Sequence, residues 1–138
     1  MKDTSNTQTP TNHRLYFYLG LTAVLLLGIC LGSYYYLKNT SYQVISSFPQ
    51  LEAAITEGDW QEANIHFTAA QQTWDKHKNI WQCFLLHQEI DDIESMFHQL
   101  KGYLETNNAT DSLSSIYKLE YNINHVPDTE KISFYNIL

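Results

Sequence analysis

GDWQEANIHFTAAQQTW, residues 58–74, decides how this chain folds. Trp60, Ala63, Phe67, Ala70 and Trp74 follow one another at spacings of three, four, three and four. That rhythm lines one face of a helix and is incompatible with the two-residue alternation of a strand. The residues just before it say where the helix starts. Gly58 accepts the left-handed conformation that ends a preceding helix. Asp59 is a capping side chain, and Glu62 three positions on completes the spacing of a capping box. The segment is therefore a helix–turn–helix junction.

The pattern extends in both directions. Upstream, Val44, Phe48, Leu51 and Ile55 are spaced four, three and four, with Pro49 forcing a kink or a fresh start. Downstream, Cys83, Leu86, Ile90, Ile93, Phe97, Leu100 and Leu104 give a third helix. From Trp74 to Cys83 the seam would jump to the opposite side, so a break is expected within Asp75–Ile80. Asn107 and Asn108 end that helix. Asn108 can cap a fourth, carrying Leu113, Ile116, Glu120 and Ile123 and stopped by Pro127. Ile132, Phe134, Ile137 and Leu138 are apolar enough to dock on the bundle.

Further upstream, Leu15 to Leu37 carries no charge and is bracketed by Arg14 and Lys38. As helix it reaches roughly 34 Å, against a hydrocarbon core of about 30 Å. Tyr16-Phe17-Tyr18 and Tyr34-Tyr35-Tyr36 mark its ends, where aromatic rings sit at the headgroup level. A cleavable signal would be shorter, with small residues in place of the tyrosines. Ile29 before Cys30 argues against lipoprotein processing.

The expected fold class is thus all-α: a single N-terminal transmembrane helix followed by an antiparallel bundle of three to four helices. The domains are a flexible cytoplasmic tail (1–14), the transmembrane helix (15–37) and a helical extracytoplasmic domain (38–138). The orientation rests on Lys2 and Arg14 on one side against Lys38 on the other. Gly28 and Gly32 form a small-xxx-small pair, a transmembrane contact through which a homodimer is open to the chain.

Charge narrows the partners. The protein has 15 acids and 8 bases; the first 38 residues net +2 and the rest −9. An acidic domain of this kind does not attract phosphate backbones, so nucleic acid is not expected as a partner. The expected partners are the lipid bilayer and an envelope protein that the sequence does not identify.

The order of elements, with Gly58-Asp59-Trp60, Ala63 and Trp74, then His87-Gln88-Glu89-Ile90-Asp91, Leu100 and Tyr103, and finally His125, Glu130, Ser133 and Asn136-Ile137-Leu138, resembles the domain of unknown function 4363 family. These are small membrane-anchored proteins of Gram-positive, often spore-forming bacteria. Phe134 and Pro49 depart from the family pattern. The resemblance implies location and fold but no chemistry.

One constellation has ligand types. His87, Asp91, Glu94 and His98 form a helical stripe, and imidazole with carboxylate suits zinc or a similar ion. A hairpin reversing near Asn107 sets His125 level with position 89; one reversing near Lys78 sets His66 level with it too. His66, His87, Asp91 and His125 are therefore the weak candidates for metal. The preferred expectation for His87, Asp91 and His125 is a hydrogen-bonded structural polar layer. Cys83 is expected to be a small buried hydrophobe, and Trp60, Trp74 and Trp81 to be core. No phosphate-binding glycine loop, serine elbow or paired-cysteine motif occurs. The expected function is a noncatalytic protein-interaction module of the cell envelope, with no catalytic residue and no cofactor. The alternative is a metal-binding protein or metal-dependent enzyme using the histidine and carboxylate layer.

Overall fold

The computed structural model describes residues 13–135, with side chains described as far as residue 126. The described residues form five helices and no strand. In chain order they are α1 (His13–Ile45), α2 (Phe48–Glu57), α3 (Trp60–Trp81), α4 (His87–Glu105) and α5 (Ala109–Tyr135). The chain divides after Gly32 into two units.

In the first unit, α1 is apolar on every side and its residues are exposed except half-buried Cys30. Its apolar window has a mean hydropathy of 2.1 and none of it is buried within the chain. By length and composition this helix could cross a membrane.

The second unit is an antiparallel helical bundle. Neighbour packs on neighbour from α2 to α5, and α5 returns against α2, which closes the ring. The junctions follow the local chemistry of the sequence. Two residues, Ser46 and Ser47, separate α1 from α2, and Pro49 lies in the first turn of α2, where a missing N–H costs nothing. Gly58 ends α2 at φ 77°; its N–H donates to Ile55 O at 3.1 Å, and the Asp59 N–H donates to Ala54 O at 2.9 Å. The Glu62 N–H then donates to Asp59 Oδ1 at 3.0 Å. Only this half of the expected capping box forms, because the Asp59 N–H is already taken by Ala54. Asn107, at φ 53°, turns the chain after α4. The Asp111 N–H donates to Asn108 Oδ1 at 3.2 Å and starts α5.

The core is aromatic at its centre. Trp74 stacks on Phe97 at 6.2 Å between centroids and meets Trp81 edge to face at 5.2 Å. Phe67 lies 6.2 Å from Phe97. Such pairs add about 0.5–1.5 kcal/mol each beyond the area they bury. Trp74 and Trp81 are both fully buried, as expected of core residues, and Trp60 is half-buried against the core.

Four sequence expectations need correction. No break occurs within Asp75–Ile80. The α3 seam runs unbroken from Trp74 to Trp81, seven residues or two turns further on, so no jump has to be repaired. The reversal instead occupies residues 82–86, which leaves Cys83 exposed and Leu86 72% exposed, while Leu85 takes the buried place. On α5 the buried line is Ser112, Ile116, Leu119, Ile123 and Val126, with Leu113 and Glu120 at its edge. Finally, Pro127 does not stop α5, which continues to Tyr135. The expected docking of Ile132, Phe134, Ile137 and Leu138, and the tail before His13, lie outside the described side chains and residues.

The reason α5 survives Pro127 is visible across the bundle. Proline has no N–H to give to the carbonyl four residues back, that of Ile123. The Ser41 hydroxyl, from α1, lies 3.1 Å from Ile123 O and 2.8 Å from Leu37 O, and its single proton is shared between the two. A carbonyl orphaned by one helix is thus covered by another.

Candidate functional site

The histidines and acids singled out in the sequence do not assemble. Each helical residue advances by about 100°, so the distance along an axis and the direction around it are separate questions. The mirror arithmetic addressed the first and left the second open. On α4 the buried line is Ile90, Ile93, Phe97, Leu100 and Leu104, and both His87 and Asp91 lie off it, exposed. On α5, His125 is two residues past buried Ile123, or roughly 200° around, and is exposed. It stacks on Tyr121, 5.3 Å away and 16° from parallel.

His66 faces its own helix: Nε2 is 3.2 Å from Glu62 Oε1 one turn earlier. The α3–α4 reversal falls at residues 82–86 rather than near Lys78, which removes the register that brought His66 level with the others. The expected structural layer of His87, Asp91 and His125 is therefore not formed. Among the described residues no three His, Cys, Asp or Glu side chains are grouped to hold a metal ion. Of the original stripe, Glu94 finds a partner on another helix and His98 is exposed.

The polar contacts that cross the bundle lie elsewhere, where the end of α1 meets α3. The Tyr36 hydroxyl and His77 Nδ1 are 2.9 Å apart, with their rings edge to face. Trp81 Nε1 donates to Thr40 Oγ1 at 2.8 Å in a fully buried setting. Burial, and after it the positive charge of Lys76, hold the His77 imidazole below its ordinary range. His77 Nε2 is buried without a hydrogen-bond partner. On the next residue, Lys78 Nζ lies 2.7 Å from Glu94 Oε1 and 3.0 Å from Asp75 Oδ1, and those bonds raise its pKa. This cluster ties α1, α3 and α4 together. It contains no nucleophile, no paired carboxylates across a cleft and no ligand set.

The sequence reading began the outer domain at residue 38, which left Tyr36 and Leu37 in the membrane helix, and it did not single out Thr40 or His77. The available signal was Leu37, Thr40/Ser41, Val44 and Phe48, a three–four rhythm that begins inside the uncharged run. Leu37 is 1% exposed and belongs to the bundle. The apolar stretch outside the bundle's unit is then Leu15–Gly32, roughly 27 Å as helix, close to a hydrocarbon core of about 30 Å.

Other features are exposed. Ile80, Phe84 and Leu86 present apolar side chains around the α3–α4 turn, and Tyr117 and Tyr121 do so along α5. A Cβ at Gly28 or Gly32 would meet nothing within 4 Å, so packing inside the chain requires neither glycine. Neither Cys30, half-buried on α1, nor Cys83, exposed in the α3–α4 turn, forms a disulfide.

Comparison with known proteins adds one result. The family described as "Domain of unknown function (DUF4363)" matches residues 31–137, taking in the end of α1 and the bundle. No curated protein and no solved structure matches the chain.

Proposed function

Because the chain belongs to the DUF4363 family, we propose that it serves as a membrane-tethered helical module: α1 spans a bilayer and the bundle, outside the cytoplasm, offers a noncatalytic surface to another envelope protein. The observation that carries the tether is the apolar window of α1, with mean hydropathy 2.1 and no part of it buried by the chain itself. Surface of this kind is stable in lipid and costly in water. Orientation follows the small excess of Lys2 and Arg14 over Lys38.

The interaction role draws support from α5. Tyr117 is 57% exposed and Tyr121 64% exposed, one turn apart, and His125 continues the stripe. Large aromatic side chains are enriched in protein interfaces.

Membrane fractions washed with alkaline carbonate should retain the full chain. Protease added to cells stripped of their wall should digest the bundle. Release by carbonate would overturn the tether, and full protection from protease would overturn the orientation. A photo-crosslinking residue at Tyr121 should give a discrete adduct with a second protein; adducts equal to those from exposed Gln99 would overturn the interaction surface.

A further inference from the structure

We propose that the outward face of α3 is where two copies of this chain pair, their α3 helices antiparallel about a two-fold axis through Ala69. The pairing needs only the bundle and is independent of the reading of α1 as a membrane span.

α3 carries two seams. The inward one is Trp60, Ala63, Phe67, Ala70 and Trp74. Glu62, Ile65, Ala69, Gln72 and Lys76 repeat its three–four rhythm two residues later, about 200° around the helix, and all five are exposed. Residues 63–74 hold no Asp, Glu, Lys or Arg. Ile65, 54% exposed, lines a shallow depression there with Gln61, Thr68, Ala69 and Gln72. On an acidic bundle, an uncharged strip with alanine at its middle is where a second molecule of the same charge can come close. Ala69 has no side chain beyond Cβ, so two such helices can approach to about 8 Å.

The ends of the strip identify the occupant. Glu62 and Lys76 lie seven residues to either side of Ala69, and each is within about 20° of its direction. An axis through Ala69 therefore sets Glu62 of each copy against Lys76 of the other, roughly 10 Å from the axis on both sides. The Glu62 carboxylate lies 3.2 Å from His66 and is still half exposed, so it can accept from a lysine as well. The same axis sets Gln72 against His66, Ile65 against Thr73 and Asp59 against Asn79. No acid of α3 meets another, and Asp75 is held by Lys78 of its own helix. Other arrangements are worse. Parallel helices would set Glu62 against Glu62, and an antiparallel axis midway between Thr68 and Ala69 would set Glu62 against Asp75. One helix against one helix is a small interface, below about 1,200 Å², so the pairing is weak and concentration-dependent.

Single cysteines test the axis in the full-length chain with Cys30→Ser and Cys83→Ser, in detergent micelles under mild oxidation by copper phenanthroline. Ala69→Cys, which meets its own copy, should form disulfide-linked dimers. Glu62→Cys and Lys76→Cys each lie roughly 21 Å from their own copies, so they should link when mixed and not alone. Gln99→Cys, exposed on α4, sets the background. Glu62→Lys and Lys76→Glu should each weaken association about 2–30-fold in analytical ultracentrifugation, and the two together should restore it. Far-UV circular dichroism should stay unchanged throughout. Linking of Ala69→Cys no faster than that of Gln99→Cys would overturn the pairing. Glu62→Cys linking to itself as fast as Ala69→Cys would overturn the antiparallel axis, and a double reversal that fails to recover association would overturn the Glu62–Lys76 contact.

Discussion

Replacing Thr40 by valine tests the join between α1 and the bundle at a single atom. Thr40 Oγ1 is the acceptor for Trp81 Nε1 at 2.8 Å, and Thr40 is 1% exposed while Trp81 is fully buried. The hydroxyl also donates to Tyr36 O at 2.8 Å and Leu37 O at 3.1 Å. Those carbonyls lie within α1 and have helical N–H donors of their own, so losing the hydroxyl there costs little. The indole N–H is different, because no water can replace the lost acceptor. A buried donor left unsatisfied costs about 1–3 kcal/mol. Valine keeps the shape, and its extra methyl offsets at most about 0.8 kcal/mol of that. A net loss of about 1–2 kcal/mol is expected, or roughly 4–8 °C in Tm for a domain of about 100 residues. The assay is thermal unfolding of the full-length chain in detergent micelles, followed by far-UV circular dichroism. Thr40→Ser retains the acceptor and should show no such coupling. In a Trp81→Phe background, which removes the donor, Thr40→Val should become nearly neutral. If Thr40→Val costs as much in the Trp81→Phe background as in the native chain, the bond does not hold α1 to the bundle.

Four further outcomes follow from the same structure. Ser41→Ala should cost about 1–3 kcal/mol in chemical denaturation by leaving Ile123 O uncovered; with Pro127→Ala, which restores an N–H to that carbonyl, the loss should shrink, and an undiminished loss would refute the account. Gly58→Ala should destabilise by about 1 kcal/mol because φ is 77° there; an unchanged Tm would count against the left-handed stop. Burial, and then Glu120, push the Glu52 carboxyl above its ordinary range, so the folded state favours the protonated form and stability falls as pH rises through that range. Glu52→Gln should therefore stabilise at neutral pH by roughly 0.5 kcal/mol and lose that advantage near pH ~4, as a pH series of melts would show. For His77 the sign is opposite: with its pKa lowered, the unfolded chain binds the proton more readily, so stability is full above 6.5 and falls as pH drops toward the lowered value. His77→Gln should flatten the fall in Tm between about pH 7 and 5.5, and an unchanged slope would assign that fall to other groups.

The sequence by itself determined what depends on a few neighbouring residues. Gly58 and Asp59 end one helix and start the next through their own backbone freedom and capping oxygen, and Asn108 starts α5 in the same way. Pro49 sets the start of α2, and the Trp60–Trp74 rhythm gives α3 its buried face. Each of these is local, so each could be read from the chain. The uncharged run of α1 is equally legible, since a helix with no polar side needs no partner to define it.

Only the tertiary structure decided where those helices face one another. His87, Asp91 and His125 were set at one level by counting along the axes, but their directions around the axes depend on which stripe each helix buries. The large apolar residues of α4 and α5 took those stripes and left the three residues in water. The same holds for the α3–α4 reversal, placed after Trp81 because the Trp74, Trp81 and Phe97 rings pack together. It holds also for Pro127: alone it reads as a stop, and it becomes tolerable inside α5 only because Ser41, 82 residues from Ile123, covers the carbonyl that proline leaves open. Local chemistry fixes where helices begin and end, whereas burial and hydrogen-bond satisfaction, which require the other helices, fix what each side chain meets.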